Sequence, residues 1–389
     1  MSHHPGGRPR VGTIKEVYED IKEKPDGHVH AQKYMSNTGS KLRLVFWETT
    51  AGCNLECVHC RRIDVARQLS KDDLTFEQSC KMIDGLAEVG KPILVLSGGE
   101  PLIRPDIFDI AKYAVEKGFT LALATNGTMV DVETAKKIVK SGIQRVAISL
   151  DGIGGVHDKF RMMEGSYEKA VRGMKNLQAL GMPVQINSTI AKHNVHQIKD
   201  IYQNAIDLGA AALHIFMLVP VGCGVKIADD QMLEPETYEK LLSWFYDVSK
   251  EKKIETKATC APHYFRIMRQ KAAEEGIEIS PKTHGMAAMT KGCLAGSAIC
   301  FISHKGQVFP CGYLPVEAGS ILNQSFREIW DNSKVFADLR NPELLKGKCG
   351  ACEYKTVCEG CRARAYYETG GDYMAAEPYC SYVPDSIAF

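Results

Sequence analysis

The chain has 389 residues, with 48 Lys plus Arg against 47 Asp plus Glu and a formal net charge of +1. That balance gives no global attraction to nucleic acid or to an anionic membrane, so neither is expected as a partner. A content of 44% hydrophobic and 24% charged residues is ordinary for a globular protein of two or three domains whose core needs no disulfide staples.

Residues 1–40 are a polar lead-in with one short helix expected near Ile14–Lys22. An alternation then begins. Leu42–Thr49 is rich in β-formers and reads as a strand, and Thr75-Phe76-Glu77-Gln78 fits a capping box that opens a helix running to Val89. Strands follow at Pro92–Ser97, Phe119–Ala124, Gln144–Leu150, Val184–Ile190 and Ala212–Leu218. Helices alternate with them at Pro105–Lys117, Val132–Ser141, Ser166–Leu180, Val195–Leu208 and Glu234–Lys250. Six strands alternating with helices over residues 41–253 predict an α/β fold with a parallel sheet, wound either open or, short of the eight units of a full barrel, into a partial (β/α)6 one as the motifs below imply by resemblance. Residues 254–290 read as a connector, helical around Tyr264–Glu275, and residues 291–389 as a small second domain that holds eight of the 14 cysteines.

No apolar stretch of a signal peptide is visible in residues 1–24, and no apolar run approaches the roughly 20 residues of a membrane span. A cytoplasmic location is therefore expected, where thiols stay reduced and patterned cysteines point to metal or redox chemistry. Cys53, Cys57 and Cys60 form a Cys-x3-Cys-x2-Cys loop directly after the first strand. Three close thiolates hold three corners of a [4Fe–4S] cube and leave one iron open for a ligand. A zinc knuckle is the competing reading, but zinc usually shows paired Cys-x2-Cys units.

The remaining motifs fall in order at the C-terminal ends of predicted strands, where active sites of parallel α/β folds lie. They are Gly98-Gly99-Glu100-Pro101, Thr125-Asn126-Gly127 and Ser149-Leu150-Asp151-Gly152, with Arg161 after them. With the cysteine loop, this series resembles the radical S-adenosylmethionine (SAM, AdoMet) superfamily. The resemblance implies that Gly98, Gly99 and Glu100 bind the SAM amino group, with Thr125, Asn126, Ser149, Asp151 and Arg161 completing the cofactor site. The residue before the third cysteine, usually aromatic in the family, is His59 here, and its flat ring is expected beside adenine.

The C-terminal pattern, Cys293, Cys300, Gly306-x4-Cys311, Cys349-x2-Cys352-x5-Cys358-x2-Cys361 and Cys380, resembles the SPASM extension of that superfamily, which binds two auxiliary [4Fe–4S] clusters. By that analogy Cys293, Cys300, Cys311 and Cys361 hold the first cluster, and Cys349, Cys352, Cys358 and Cys380 the second. Structural zinc is the alternative for these pairs. Cys80, Cys223 and Cys260 are left over. Cys80 reads as a core thiol inside a helix. Cys223, in the loop after the sixth strand, and Cys260 are candidate substrate contacts.

Phe46–Thr50 with Cys53–Arg62, Ala258–Tyr264, Gly292–Gly312 and Lys346–Tyr367 resemble the AhbD family, the haem synthases of the siroheme-dependent pathway, and also the related AhbC and NirJ families. The resemblance implies an iron-porphyrin substrate, iron-coproporphyrin III, with two propionates oxidatively decarboxylated to vinyl groups to give haem b. Three [4Fe–4S] clusters, SAM and a low-potential donor such as ferredoxin or flavodoxin go with that reading. Four substrate carboxylates need cations, which nominates Arg61, Arg62, Arg266 and Arg269, and His263 is a candidate axial ligand to the haem iron. Alternatives are AhbC- or NirJ-like removal of siroheme side chains, a SPASM maturase acting on a peptide or protein side chain, and a non-catalytic zinc or electron-transfer protein. Only about 40 residues precede the first strand, too few for a packed peptide-recognition domain.

Overall fold

The computed structural model describes residues 41–62 and 71–387. The helix expected near Ile14–Lys22 lies outside them. Ten strands form one sheet: β1 (Leu44–Glu48), β2 (Ile93–Ser97), β3 (Leu121–Thr125), β4 (Arg145–Ser149), β5 (Val184–Ile190), β6 (Ala212–Met217), β7 (Glu255–Thr259), β8 (Ile299–Ile302), β9 (Gln307–Phe309) and β10 (Gly319–Ser320). Their order is β10-β9-β8-β1-β2-β3-β4-β5-β6-β7, parallel from β8 to β7 and antiparallel at β9 and β10. The first six strands alternate with α1 (Phe76–Val89), α2 (Ile107–Glu116), α3 (Val132–Lys140), α4 (Gly155–Arg161), α5 (Ser166–Gln178), α6 (Ile198–Asp207) and α7 (Pro235–Ser249), as expected of a partial (β/α)6 barrel. No helix among the described residues is long and apolar enough to cross a membrane.

Local chemistry explains the boundaries. The Thr75 side chain accepts from the Gln78 backbone while the Gln78 side chain caps the Thr75 N–H, so the capping box starts α1. Alternation then sorts each strand. Val146 and Ile148 of β4, Ile186 of β5 and Leu213 and Ile215 of β6 are buried in the apolar layer under the helices. The intervening Arg145, Ala147, Ser149, Asn187, His214 and Phe216 are only half-buried and face the barrel interior.

Four strands lie beyond the six read from sequence, and two of them, β7 and β8, extend the parallel sheet. β7 sits in the segment read as a connector and extends the sheet beside β6. Its sequence, Glu-Thr-Lys-Ala-Thr, gives no apolar alternation, because only Ala258 turns toward the core. β8, from the cysteine-rich region, pairs in parallel with β1 at the other side. The C-terminal domain thereby shares the barrel's own sheet.

Helices α8 (His263–Glu274) and α9 (Arg362–Thr369) complete the frame. Arg364 of α9 has no exposed surface and pairs with Glu377, equally buried, at 2.8 Å. The same guanidinium donates to the Cys260 carbonyl at 2.8 Å and lies over the Tyr238 ring of α7, 5.3 Å from its centroid. Glu377 in turn accepts from the Cys361 backbone. Burial alone would raise the Glu377 pKa, but Arg364 and the other donors outweigh it and hold the carboxyl at about 2.

Removing one partner of such a pair strands a buried charge. Arg364→Met is expected to lower the unfolding free energy by about 3–5 kcal/mol, and Arg364→Met with Glu377→Gln by less. Anaerobic denaturant titration at neutral pH checks both, and a double variant no better than the single one would exclude a stranded charge as the cause.

Candidate active site

The cysteine loop after β1 is held by backbone and by small polar side chains. Gly99 donates to the Thr50 carbonyl at 2.9 Å and Glu100 to that of Gly52 at 2.7 Å. A Cβ at Gly99 would stand 2.0 Å from the Gly52 oxygen, so glycine is required for this approach. Asn126 donates to Asn54 Oδ1, and Asn54 donates to Thr128 Oγ1, both at 2.8 Å, which ties the loop to the turn after β3. From the far side, Cys223 N–H donates to the Cys60 carbonyl at 2.8 Å and the Cys223 thiol donates to the Arg62 carbonyl at 2.9 Å. The cysteine in the β6 loop thus braces the cluster loop.

Cys53, Cys57 and Cys60 lie within one another's electrostatic range. Burial, with its thiol neighbours and Glu100, pushes Cys53 up to about 12, and burial also raises Cys57. Thiols so placed ionise readily only against a strong cation, which a metal centre supplies. Arg161 faces Cys57 Sγ at 3.7 Å and donates through Nε to Asp151 at 2.6 Å. Burial would raise Asp151, but Arg161 and the nearby histidines hold it at about 2. Glu100 is the opposite case. Its burial lifts the carboxyl to about 7, although Asn126 N–H and Thr125 Oγ1 each donate to it at 2.8 Å. Ser149 ends β4 on the interior face, two residues before Asp151.

Three rings not grouped by the sequence complete this end of the barrel. His59 stacks on Phe160 at 4.0 Å, and Phe160 on His193 at 3.6 Å. Burial holds His59 neutral, with a pKa of about 3, despite Asp151 3.7 Å away. The flat imidazole is packed as an aromatic ring. Phe160 and His193 carry no motif signal, since they come together only through the α4 turn and the β5 loop.

Arg61 and Arg62 converge on buried Glu48 of β1, which also receives His304 at 2.6 Å. The Arg61 guanidinium lies 4.2 Å from the Phe301 ring centroid. Arg266 and Arg269 lie elsewhere, on α8. Arg266 pairs with Glu239, and Arg269 donates to the Phe265 carbonyl at 3.1 Å. Cys80 sits half-buried on α1.

The C-terminal cysteines form two groups. Cys349, Cys352, Cys358 and Cys380 line one pocket, joined by His263 and Arg266. Both His263 ring nitrogens are buried there without a protein partner. Glu377 N–H approaches Cys349 Sγ at 3.3 Å and Tyr354 N–H approaches Cys352 Sγ at 3.4 Å, the contacts expected around thiolates. The second group holds Cys293, Cys311 and Cys361, and its fourth thiol is Cys260, which interacts with all three. Cys300 pairs with Val45 in the sheet, is fully buried, and has burial as the only influence on its raised pKa. Alternation along β8 turns Cys300 away from Phe301, the residue that meets Arg61 and packs against Gly312, next to Cys311.

Comparison with known proteins follows the same division. The Radical SAM superfamily profile matches residues 47–205, and the SPASM iron-sulfur cluster-binding domain profile matches residues 293–362. An "AdoMet-dependent heme synthase" of Methanosarcina barkeri is 54% identical over 343 residues, 88% of this chain and 97% of the relative. The chain belongs to the radical SAM superfamily, in the family of the AdoMet-dependent haem synthases. A second such synthase, from Nitratidesulfovibrio vulgaris, is 44% identical over 91% of this chain and 96% of its own length. The fold is shared with Streptococcus suis SuiB bound to its precursor peptide SuiA, with a TM-score of 0.69 and 16% identity over 98% of this chain and 84% of that one. A radical SAM enzyme with a SPASM domain works with [4Fe–4S] clusters and AdoMet, and the three thiol groups described above fit such cofactors in number and type of donor.

Gly99→Ala is expected to displace the 50–53 turn and reduce AdoMet affinity at least tenfold, measured by calorimetry on the reconstituted enzyme. Cys53→Ala with Cys57→Ala and Cys60→Ala is expected to abolish AdoMet cleavage and to lower bound iron by about a third. Unchanged iron would refute this assignment.

Proposed function

We propose that the enzyme converts two propionate arms of iron-coproporphyrin III into vinyl groups, giving haem b, in the cytoplasm and with a low-potential donor such as ferredoxin or flavodoxin. Each arm, –CH2CH2COO⁻, becomes –CH=CH2 with release of CO2, one hydrogen atom and one electron. When bound, AdoMet and its cluster supply a 5′-deoxyadenosyl radical that takes the hydrogen atom, and the auxiliary clusters supply an acceptor for the electron. The observation that carries the reading is the 54% identity to a haem synthase over 97% of that protein. The presence of thiols for auxiliary centres supports it, because this outcome is oxidative.

The chain's own residues divide the labour. Cys53, Cys57 and Cys60 hold the AdoMet cluster. Gly98, Gly99 and Glu100 present backbone and carboxylate to the AdoMet amino group, while Thr125, Asn126, Ser149, Asp151 and Arg161 position the remainder. Cys349, Cys352, Cys358 and Cys380 hold one auxiliary cluster. Cys293, Cys311, Cys361 and Cys260 hold the other, with Cys260 in the place that the SPASM resemblance gave to Cys300. Arg61 and Arg62, beside the cluster loop, keep their nomination for a substrate carboxylate. His263 and Arg266 line an auxiliary cavity and act there, on the cluster's surroundings, rather than on the porphyrin.

Anaerobic reconstitution with AdoMet, reductant and iron-coproporphyrin III is expected to yield monovinyl and then divinyl product, with two 5′-deoxyadenosines per haem. Deoxyadenosine without vinyl product would overturn the assignment. Cys260→Ala is expected to change the auxiliary-cluster EPR signal and lower bound iron, whereas Cys300→Ala leaves both intact. The reverse result would return the ligand role to Cys300.

A further inference from the structure

The barrel interior contains a polar row that starts at Ser149 of the AdoMet site and continues through residues that site does not use. Register places Ser149 of β4 beside Asn187 of β5, Asn187 beside His214 of β6, and His214 beside Lys257 of β7. Residues in register on neighbouring strands face the same way, and Ser149, Asn187 and His214 lie on the face opposite the helix-packed Ile148, Ile186 and Ile215. Lys257 therefore points into the interior with them. The row lies two residues along β5, roughly 7 Å, below Thr189, whose N–H donates to Asp151 of the AdoMet end.

The polar groups here are arranged as donors. The Gln185 amide nitrogen is 2.6 Å from Asn187 Oδ1 and 2.8 Å from His214 Nδ1. An amide nitrogen donates, so His214 Nδ1 accepts and Nε2 carries the ring proton. That Nε2–H is buried and has no partner. Lys257 has no hydrogen bond or salt bridge among the described residues. The carboxylate that most affects it, Glu255, already meets Arg145 at 3.3 Å in the row below. The Lys257 side chain is exposed to solvent, yet surrounding protein holds its ammonium below the ordinary lysine range. Both facts describe a side chain standing in an open internal lumen.

The buried His214 Nε2–H lacks an acceptor, which is costly, and the adjacent Lys257 ammonium faces solvent with no protein carboxylate of its own, so an anionic acceptor entering from the lumen would meet both. We propose that Lys257 and His214 form a carboxylate-binding site in the barrel interior, which grips one propionate of the substrate through Lys257 Nζ and His214 Nε2–H. The inference rests on the iron-porphyrin reading of the function and names two contacts within it. The charge-assisted bond from Lys257 supplies most of the affinity, and the imidazole sets its direction. Gln185 is a positioning residue that fixes the His214 tautomer.

The test is a Soret titration of the reconstituted, AdoMet-bound enzyme with iron-coproporphyrin III. Lys257→Met is expected to weaken binding about tenfold or more, as for loss of one charge-assisted contact. Lys257→Arg should retain affinity within about threefold, and AdoMet affinity and iron content should stay at wild-type levels. Thermal stability of Lys257→Met should stay close to wild type, since the ammonium removed faces solvent and has no partner in the protein. His214→Phe keeps the ring without the donor and serves as the second variant, with an expected loss of about fivefold. Wild-type affinity in both Lys257→Met and His214→Phe would overturn the site while leaving the porphyrin reading intact. Failure of the wild-type enzyme to bind the porphyrin would overturn that reading and this inference with it.

Discussion

Arg364 and Glu377 face each other with no exposed surface on either side chain, and much of the molecule's geometry passes through that pair. The arginine also holds the carbonyl of Cys260 and covers Tyr238, while the glutamate receives the backbone of Cys361. One ion pair thus fixes the chain at the end of β7, a helix of the barrel and the start of α9. Two of the thiols assigned to the first auxiliary cluster, Cys260 and Cys361, sit at these fixed points. A pair this deep has little stability to offer over an apolar substitute, so its value lies in specifying one arrangement.

Much of the fold was legible in the chain. The capping box at Thr75 and the buried strand Val184–Ile190 both stand where local pattern put them, because short-range hydrogen bonding and apolar alternation decide such segments. The motifs at the strand ends were equally legible, since each is a run of residues whose types have few other uses together. Glycine at position 99, for instance, answers to a backbone approach that no side chain would permit.

What escaped the sequence has a common physical origin. β7 is polar because one of its faces looks into the lumen rather than into the core, so the usual strand signal is absent. The His59–Phe160–His193 stack joins the cluster loop, helix α4 and the segment after β5, which are separate in the chain. Cys300 and Cys260 show the limit of counting cysteines. Analogy with the SPASM pattern nominated Cys300, but the alternation of β8 turns it into the apolar layer. Cys260 lies upstream of the cluster domain, in a left-handed backbone conformation with φ of 53°. The tertiary fold brings its thiol back among the others. The arginines nominated for substrate illustrate a related point: Arg61, Arg62 and Arg266 all find carboxylates within the protein, and a cation's availability cannot be read from its position in the chain.

Strand β7 has a mechanical consequence. Lys257 and Cys260 are three residues apart on nearly extended chain, roughly 10 Å, and the strand is braced on one side by β6 and at its end by Arg364. The residue proposed to grip the substrate and the residue proposed to hold an auxiliary cluster therefore share one ruler. On that proposal, a carboxylate bound at Lys257 stands at a set span from the cluster.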